Sequence, residues 1–169
     1  RDRGMQLCRE LGGELESLFH SFAQKHCPAG SRIVGSMQRS LPTTLCAAIA
    51  GGPSFASDLC FLWAGDSRCY LLRDGVLYQC TREHTLRQEK IDNGELTAPE
   101  ARRMVRGNII TNAVGARDAL RLDEVRFSLR GGDKFLLCSD GLSNLLGPDA
   151  LAARLARTSA REAAEDMAR

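Results

Sequence analysis

One hairpin signal constrains the fold of this chain more than any other feature. The dipeptide Asp74-Gly75 separates two short apolar runs, residues 69–73 and 76–80, and Asp-Gly favours the tight turn that joins two antiparallel strands. A third apolar run, residues 59–64, comes shortly before them. Because consecutive strands with short connections usually pair with each other, the order predicts a three-stranded antiparallel meander.

Other segments extend this pattern on both sides. Further strands are predicted over residues 44–50, 108–111, 122–129 and 134–138. Helices are predicted over residues 5–26, 85–93, 97–104, 150–156 and 163–167. The capping boxes Thr97/Glu100 and Ser159/Glu162 mark the starts of the third and the last of these helices. Strands in the middle with helices at both ends predict an α+β fold, in which helices cover antiparallel sheet.

Composition limits the classes of function. The chain has 169 residues, enough for a single domain, with 43% hydrophobic and 26% charged residues. Lys and Arg number 23 and Asp and Glu 21, a net charge of +2 without a run of five like charges, so we expect no nucleic-acid partner. No apolar stretch approaches the roughly 20 residues of a membrane span, and the seven widely spaced cysteines fit reduced thiols. We therefore expect a cytoplasmic protein, with no membrane segment, that works as a monomer.

Two aspartates are the strongest candidates for a functional site. Asp66 and Asp140 each follow a buried-type apolar strand and one small residue. A carboxylate at the mouth of a buried strand is costly unless a cation or hydrogen bonds compensate it, and Mg²⁺ and Mn²⁺ prefer such oxygen ligands. An aspartate in such a motif more commonly begins a turn or caps the segment that follows, and Asp66 could also be neutralised by Arg68.

Other catalytic mechanisms have less support from sequence motifs. No arginine lies six positions after any cysteine, as a cysteine-based phosphatase requires, and the motifs of nucleotide-binding, zinc-protease and serine-hydrolase sites are missing. His84 could transfer a proton, although a packed or solvated role is the more common one for a lone histidine. The basic segment 102–106 is typical of a solvated face and could also attract an anionic phosphopeptide.

Taken in order, a series of short motifs resembles a known family. The motifs are Pro42-Thr-Thr-Leu45, Ala64-Gly-Asp-Ser-Arg68, Tyr70-Leu-Leu-Arg-Asp-Gly75, Glu83-His-Thr-Leu86, Asn93-Gly-Glu-Leu-Thr97, Asn108-Ile-Ile-Thr111 and Leu137-Cys-Ser-Asp-Gly-Leu142. Their order and spacing resemble the bacterial metal-dependent Ser/Thr protein phosphatases, the PPM or type 2C family. The resemblance implies a four-layer α-β-β-α sandwich of two antiparallel sheets, of which this chain is a part.

The resemblance also implies a function and a site. It implies hydrolysis of phosphoserine and phosphothreonine in proteins, the substrates of a Ser/Thr kinase, by water activated at a binuclear Mg²⁺ or Mn²⁺ centre. Asp140 matches a direct metal ligand of the family. Asp66 matches an acidic residue that supports the metal-water network and helps to bind a third, weaker ion. Residues 82–107 match a flap beside the active site.

The sequence also departs from the family pattern. The family's Asp-Gly-x-Gly-Gly-His segment and its late Asp-Asn motif are missing, so we expect residues 1–169 to form a single partial domain, truncated at both ends. Glu83 and Thr85 flank His84 where Asp and Ser are usual, and Asn144 replaces an acidic residue. Two interpretations follow: a piece of an active phosphatase that is inactive alone, or a non-catalytic regulatory or phosphoprotein-binding module.

Overall fold

Two antiparallel sheets form the centre of the structure. The computed structural model describes residues 42–50, 58–116, 121–157 and 159–168. The strands in these ranges are β1 (Leu45–Ala50), β2 (Asp58–Ala64), β3 (Arg68–Arg73), β4 (Val76–Gln79), β5 (Asp123–Ser128) and β6 (Lys134–Cys138). They form two three-stranded sheets, with the orders β1-β2-β5 and β4-β3-β6. The helix predicted over residues 5–26 lies outside the described residues.

Short helices follow the strands. They are α1 (Leu86–Asp92), α2 (Ala98–Arg102), α3 (Asp140–Ser143), α4 (Pro148–Arg157) and α5 (Ala160–Met167). Both predicted capping boxes are confirmed, because Glu100 accepts a hydrogen bond from the N–H of Thr97 at 2.7 Å and Glu162 accepts one from the N–H of Ser159 at 3.2 Å. In the described part of the chain, no helix has the length and apolar character needed to cross a bilayer.

The predicted hairpin is confirmed, but the predicted meander is wrong. Strands β3 and β4 pair antiparallel around Asp74 and Gly75, whose φ angles of 52° and 79° fit a tight hairpin turn. Strand β2 does not pair with β3; it lies between β1 and β5 in the other sheet. Its apolar side chains are buried on both faces, as in Phe61 and Leu62, which suits a central strand better than the edge of a hairpin.

The strand predicted over residues 108–111 is also wrong. This segment makes only an isolated bridge between Ile110 and Thr85, and the side chains of Ile109 and Ile110 are 50% and 42% exposed. Its apolar residues therefore do not bury a face against a sheet. Its backbone instead lies along the start of α1, where the N–H of Leu86 donates to the carbonyl of Ile109 at 2.9 Å.

The core lies between the two sheets. Phe61 of β2 is fully buried, and its ring contacts those of Phe127 and Phe135 at centroid distances of 6.0 and 5.3 Å. Cys69 of β3 belongs to the same cluster. Helix α4 packs on β3 and β4 and buries Leu151. The described residues thus form two packed antiparallel sheets with helices, and the ends of β2 and β6 point to the region of the predicted site.

Candidate metal centre

The pairing of β3 with β6 explains why the two candidate aspartates come together. Their antiparallel register pairs Arg68 with Cys138. Asp66 lies two residues before Arg68 and Asp140 two residues after Cys138, so both lie just beyond the same end of this strand pair. Two residues separated by more than seventy positions in the sequence are thereby neighbours.

The electrostatics of Asp66 reflect this arrangement. Its side chain is half-buried, and burial is the main cause that raises its pKa above the ordinary aspartate value. The negative charge of Asp140 is the next cause, and Glu83 raises the pKa further, whereas a backbone hydrogen bond and Arg68 lower it. The ionised pair Asp66 and Asp140 therefore repel each other, and a bound cation would relieve that repulsion.

Glycine at position 65 is required by the turn that carries Asp66. Gly65 has a φ of +108°, a conformation that L side chains rarely adopt. A Cβ atom at this position would lie 2.4 Å from Cγ2 of Thr44. The hydroxyl of Thr44 also contacts that of Ser67 at 2.9 Å. The start of β1 therefore packs closely under the turn and fixes the place at which Asp66 leaves the sheet.

His84 supports the same turn from the other side. Its Nδ1 accepts the N–H of Gly65 at 3.1 Å and an N–H of Asn112 at 2.9 Å. Because a backbone N–H only donates, the ring proton is on Nε2, which lies 3.1 Å from the carboxylate of Asp123. The ring is 3% exposed and stacks on Trp63. With both nitrogens engaged, His84 orients the Asp66 turn and has no site for transferring a proton to a substrate.

Arg68 does not neutralise Asp66 by a direct ion pair. Its guanidinium pairs with Glu83 and donates a hydrogen bond to the hydroxyl of Tyr70 at 3.1 Å. Among the ion pairs of the described residues, none joins Arg68 to Asp66. Arg68 therefore acts on Asp66 only through its charge at a distance, which lowers the pKa of Asp66. The carboxylate of Asp66 can still bind another cation.

The two carboxylates of the site are suitable ligands for a hard divalent cation, but they are too few to bind it alone. Carboxylate oxygens and water are the ligands that Mg²⁺ and Mn²⁺ prefer, and Asp66 and Asp140 supply two carboxylates at one place. Over residues 42–50, 58–116, 121–157 and 159–168, no group of three or more His, Cys, Asp or Glu side chains is arranged to bind a metal ion. Asp66 and Asp140 would therefore bind such an ion together with water or further oxygen ligands.

The sequence analysis missed the residues that support the aspartates. Asp123 and Asn112 lie 39 and 28 positions from His84 and carry no local signal of their own. Glu83 stands within the motif Glu83-His-Thr-Leu86, where Asp is usual, and nothing in that motif indicates its ion pair with Arg68. The segment 82–107 contains α1 and α2, and its role as a flap stays a prediction. Arg102, Arg103 and Arg106 are exposed, as expected for a solvated face.

Comparisons with known proteins support the resemblance. No protein-family model matches the chain. The Ser/Thr phosphatase stp of Listeria monocytogenes is 38% identical over 104 residues, which are 62% of this chain and 40% of that protein. The chain thus spans well under half the length of this relative.

Solved structures show the same similarity. The Ser/Thr phosphatase PstP of Mycobacterium tuberculosis matches with a TM-score of 0.67 and 32% identity, over 75% of this chain and 52% of that one. The catalytic domain of PstP in complex with two manganese ions matches with a TM-score of 0.65 and 27% identity, over 94% of this chain and 73% of that one. Over about 60% of its length, the chain is therefore a homologue of the bacterial Ser/Thr protein phosphatases of the PPM family.

Proposed function

We propose that the protein carrying this chain hydrolyses phosphoserine and phosphothreonine in proteins and depends on Mg²⁺ or Mn²⁺. The observation that supports this proposal most is the position of Asp66 and Asp140 at one end of the β3–β6 pair, in a chain homologous to Ser/Thr phosphatases. The expected substrates are proteins phosphorylated by a Ser/Thr kinase in the cytoplasm.

Each residue has a separate role in this proposal. Asp140 would hold a metal ion, and Asp66 would support its water network and help to hold a further, weaker ion. When bound, the ions supply activated water and offset the charge that develops on the phosphoryl oxygens. Gly65 and His84 set the direction of Asp66. Glu83 keeps the guanidinium of Arg68 beside the site but away from Asp66.

The complete domain is proposed to be a four-layer sandwich with a binuclear centre. The two sheets described above would be its inner layers. The described residues bring two carboxylates to the site, and two carboxylates bind a divalent ion weakly, mainly together with water. We therefore expect this chain by itself to turn over phosphopeptides slowly or not at all, and the remaining metal ligands to come from other residues of the whole protein.

The test is metal-dependent phosphate release by the whole protein. Phosphoserine and phosphothreonine peptides are incubated with Mn²⁺, with Mg²⁺ or with EDTA, and free phosphate is measured. We expect release with either metal and none with EDTA. Asp140→Asn should remove most of the activity, whereas Asp149→Asn, an exposed aspartate in the first turn of α4, should leave it unchanged.

A non-catalytic role is the competing hypothesis. It is favoured by the small number of carboxylates that the described residues bring together. A whole protein that binds a phosphopeptide saturably, and releases no phosphate with Mn²⁺ or Mg²⁺, would establish this role as a phosphoprotein-binding module and refute the proposed hydrolysis.

A further inference from the structure

Two cysteines lie opposite each other where β3 pairs with the chain beyond β4. The register pairs Tyr70 with Gln79, so Cys69 and Cys80 are the next two partners. The N–H of Cys80 donates to the carbonyl of Cys69 at 2.8 Å, which continues the ladder by one hydrogen bond, whereas the N–H of Cys69 donates to the hydroxyl of Thr81 at 3.1 Å. Opposite residues in this arrangement have Cα atoms about 5.5 Å apart, and that separation is within the range that a disulfide bridges.

The two thiols interact with each other. A hydrogen bond between them is the largest cause that raises the pKa of Cys69 and lowers the pKa of Cys80. Each S–H also lies within reach of a backbone carbonyl, with Sγ of Cys69 3.8 Å from the oxygen of Tyr70 and Sγ of Cys80 3.7 Å from the oxygen of Tyr78. The charge of Arg73 also lowers the pKa of Cys80. Cys80 is therefore the member of the pair that is more readily ionised.

The surroundings of the two cysteines differ in access. Cys69 is fully buried in the core between the sheets. Cys80 is only partly buried and lines a cavity of about 530 Å³, which Arg73, Arg130 and Tyr78 also line. A small oxidant can thus reach Cys80 from the cavity. The thiol of Cys69 interacts with Cys80 from the buried side.

The other cysteines with a shifted pKa lack this combination. Burial raises the pKa of Cys46 to about 11, and burial also raises the pKa of Cys138. Because the thiolate is the nucleophile, raised pKa values make these two thiols slow to react. Of Cys46, Cys80 and Cys138, only Cys80 combines a lowered pKa with a position at the cavity and a thiol neighbour on the paired strand.

We propose that Cys80 and Cys69 form a reversible cross-strand disulfide when the protein meets a hydroperoxide. The thiolate of Cys80 attacks the peroxide oxygen, the O–O bond breaks, and the alcohol or water leaves after taking up a proton, which gives Cys80 sulfenic acid. The sulfur of Cys69 then attacks the sulfur of Cys80 as its proton passes to the departing hydroxyl, so that an S–S bond forms, the S–O bond breaks and water leaves. Because the hydrogen bond with Cys80 and burial raise the pKa of Cys69, its proximity to Cys80, and not a ready supply of thiolate, favours this step. Overall, two thiols are oxidised to one disulfide, and one hydroperoxide is reduced to alcohol or water.

The bond would lie next to the site described above without being part of it. Cys69 follows Arg68 directly, and Cys80 lies shortly before Glu83. A disulfide would covalently join the two segments that carry this ion pair. The proposal concerns thiol chemistry only, so its test does not depend on whether the protein is a phosphatase.

The experiment is peptide mapping of the folded whole protein after treatment with hydrogen peroxide. After remaining thiols are alkylated, trypsin cleaves at Arg68, Arg73 and Arg82, which places Cys69 on the peptide 69–73 and Cys80 on the peptide 74–82. We expect these two peptides to be joined, with the loss of two hydrogen atoms, and to be released by dithiothreitol. A cross-link of either cysteine to another partner, or no cross-link while Cys46 is oxidised, overturns the proposal.

Variants separate the two steps. In Cys69→Ser, which keeps the buried side chain small, the sulfenic acid of Cys80 should persist and be trapped by dimedone. In Cys80→Ser, both the adduct and the cross-link should be lost, whereas Cys46→Ser should keep the cross-link. Dimedone labelling of Cys69 in place of Cys80 would contradict the assigned order. Because the unmodified protein already gives the cross-link result, a variant that fails to fold does not prevent the test.

Discussion

Substituting Gly65 by alanine tests whether the turn that carries Asp66 is fixed in the way described. The substitution acts in two ways. The φ of +108° is unfavourable for any residue with a Cβ atom, which costs about 1–2 kcal/mol. The new methyl group would also lie 2.4 Å from Cγ2 and 2.7 Å from Cβ of Thr44. Such overpacking costs about 1–3 kcal/mol, so Gly65→Ala should lower the free energy of unfolding by about 2–5 kcal/mol.

The matched control for this prediction is Gly75→Ala. Gly75 has a φ of +79°, but no atom lies within 4 Å of the position of its Cβ. It therefore carries the backbone cost alone, about 1–2 kcal/mol. The difference between the two variants measures the contact with Thr44.

The assay is urea unfolding followed by circular dichroism. A second variant, Thr44→Ser in the Gly65→Ala background, removes the Cγ2 methyl and keeps the hydroxyl that contacts Ser67. It should recover part of the lost stability. Equal destabilisation by Gly65→Ala and Gly75→Ala, with no recovery on Thr44→Ser, would refute the close packing of β1 under the turn.

Three further predictions concern the residues around the site and the second sheet. His84→Ala should lower the free energy of unfolding by about 1–3 kcal/mol in urea titrations, because the buried N–H of Gly65 loses its acceptor; an unchanged midpoint would contradict this. Asp66→Asn should raise the unfolding temperature at pH 7 in EDTA, because burial raises the pKa of Asp66 and its ionised form destabilises the fold; the gain should vanish as the pH falls below about 4, where the aspartate is neutral in the unfolded chain too. Asp133→Asn should destabilise the fold at pH 7, since Arg73 lowers the pKa of Asp133 to about 2. The difference in unfolding free energy between the natural protein and the variant should be complete above the unfolded pKa of about 4 and should be lost as the pH falls through the folded pKa. Urea midpoints of the two proteins that stay apart in stronger acid would contradict this.

Local signals in the sequence were sufficient for several features. Asp74-Gly75 predicts the hairpin because both residues must adopt positive φ, which these residue types tolerate. The shared strand-Asp pattern identifies Asp66 and Asp140 as candidates because each follows the end of a strand, whereas their proximity depends on the long-range pairing of β3 with β6. Capping boxes likewise depend on residues only three positions apart.

Features that depend on distant parts of the chain were not predictable. Strand β2 pairs with β5, whose residues lie 60 to 70 positions later, so no local pattern shows that the chain changes sheets at Gly65. Residues 108–111 have the composition of a strand, but no neighbouring strand is available to pair with them. The contact of His84 with Asp123 similarly exists only because β5 lies next to β2.

The most direct test of the central claim is the affinity of the whole protein for Mn²⁺. Free Mn²⁺ is measured by electron paramagnetic resonance during titration of the natural protein, Asp140→Asn, Asp66→Asn and the control Asp149→Asn. If Asp66 and Asp140 bind the ion together, Asp140→Asn should weaken binding by about tenfold or more, Asp66→Asn should weaken it or remove its weakest component, and the control should match the natural protein. Binding that is unchanged in Asp140→Asn and in Asp66→Asn would contradict the account.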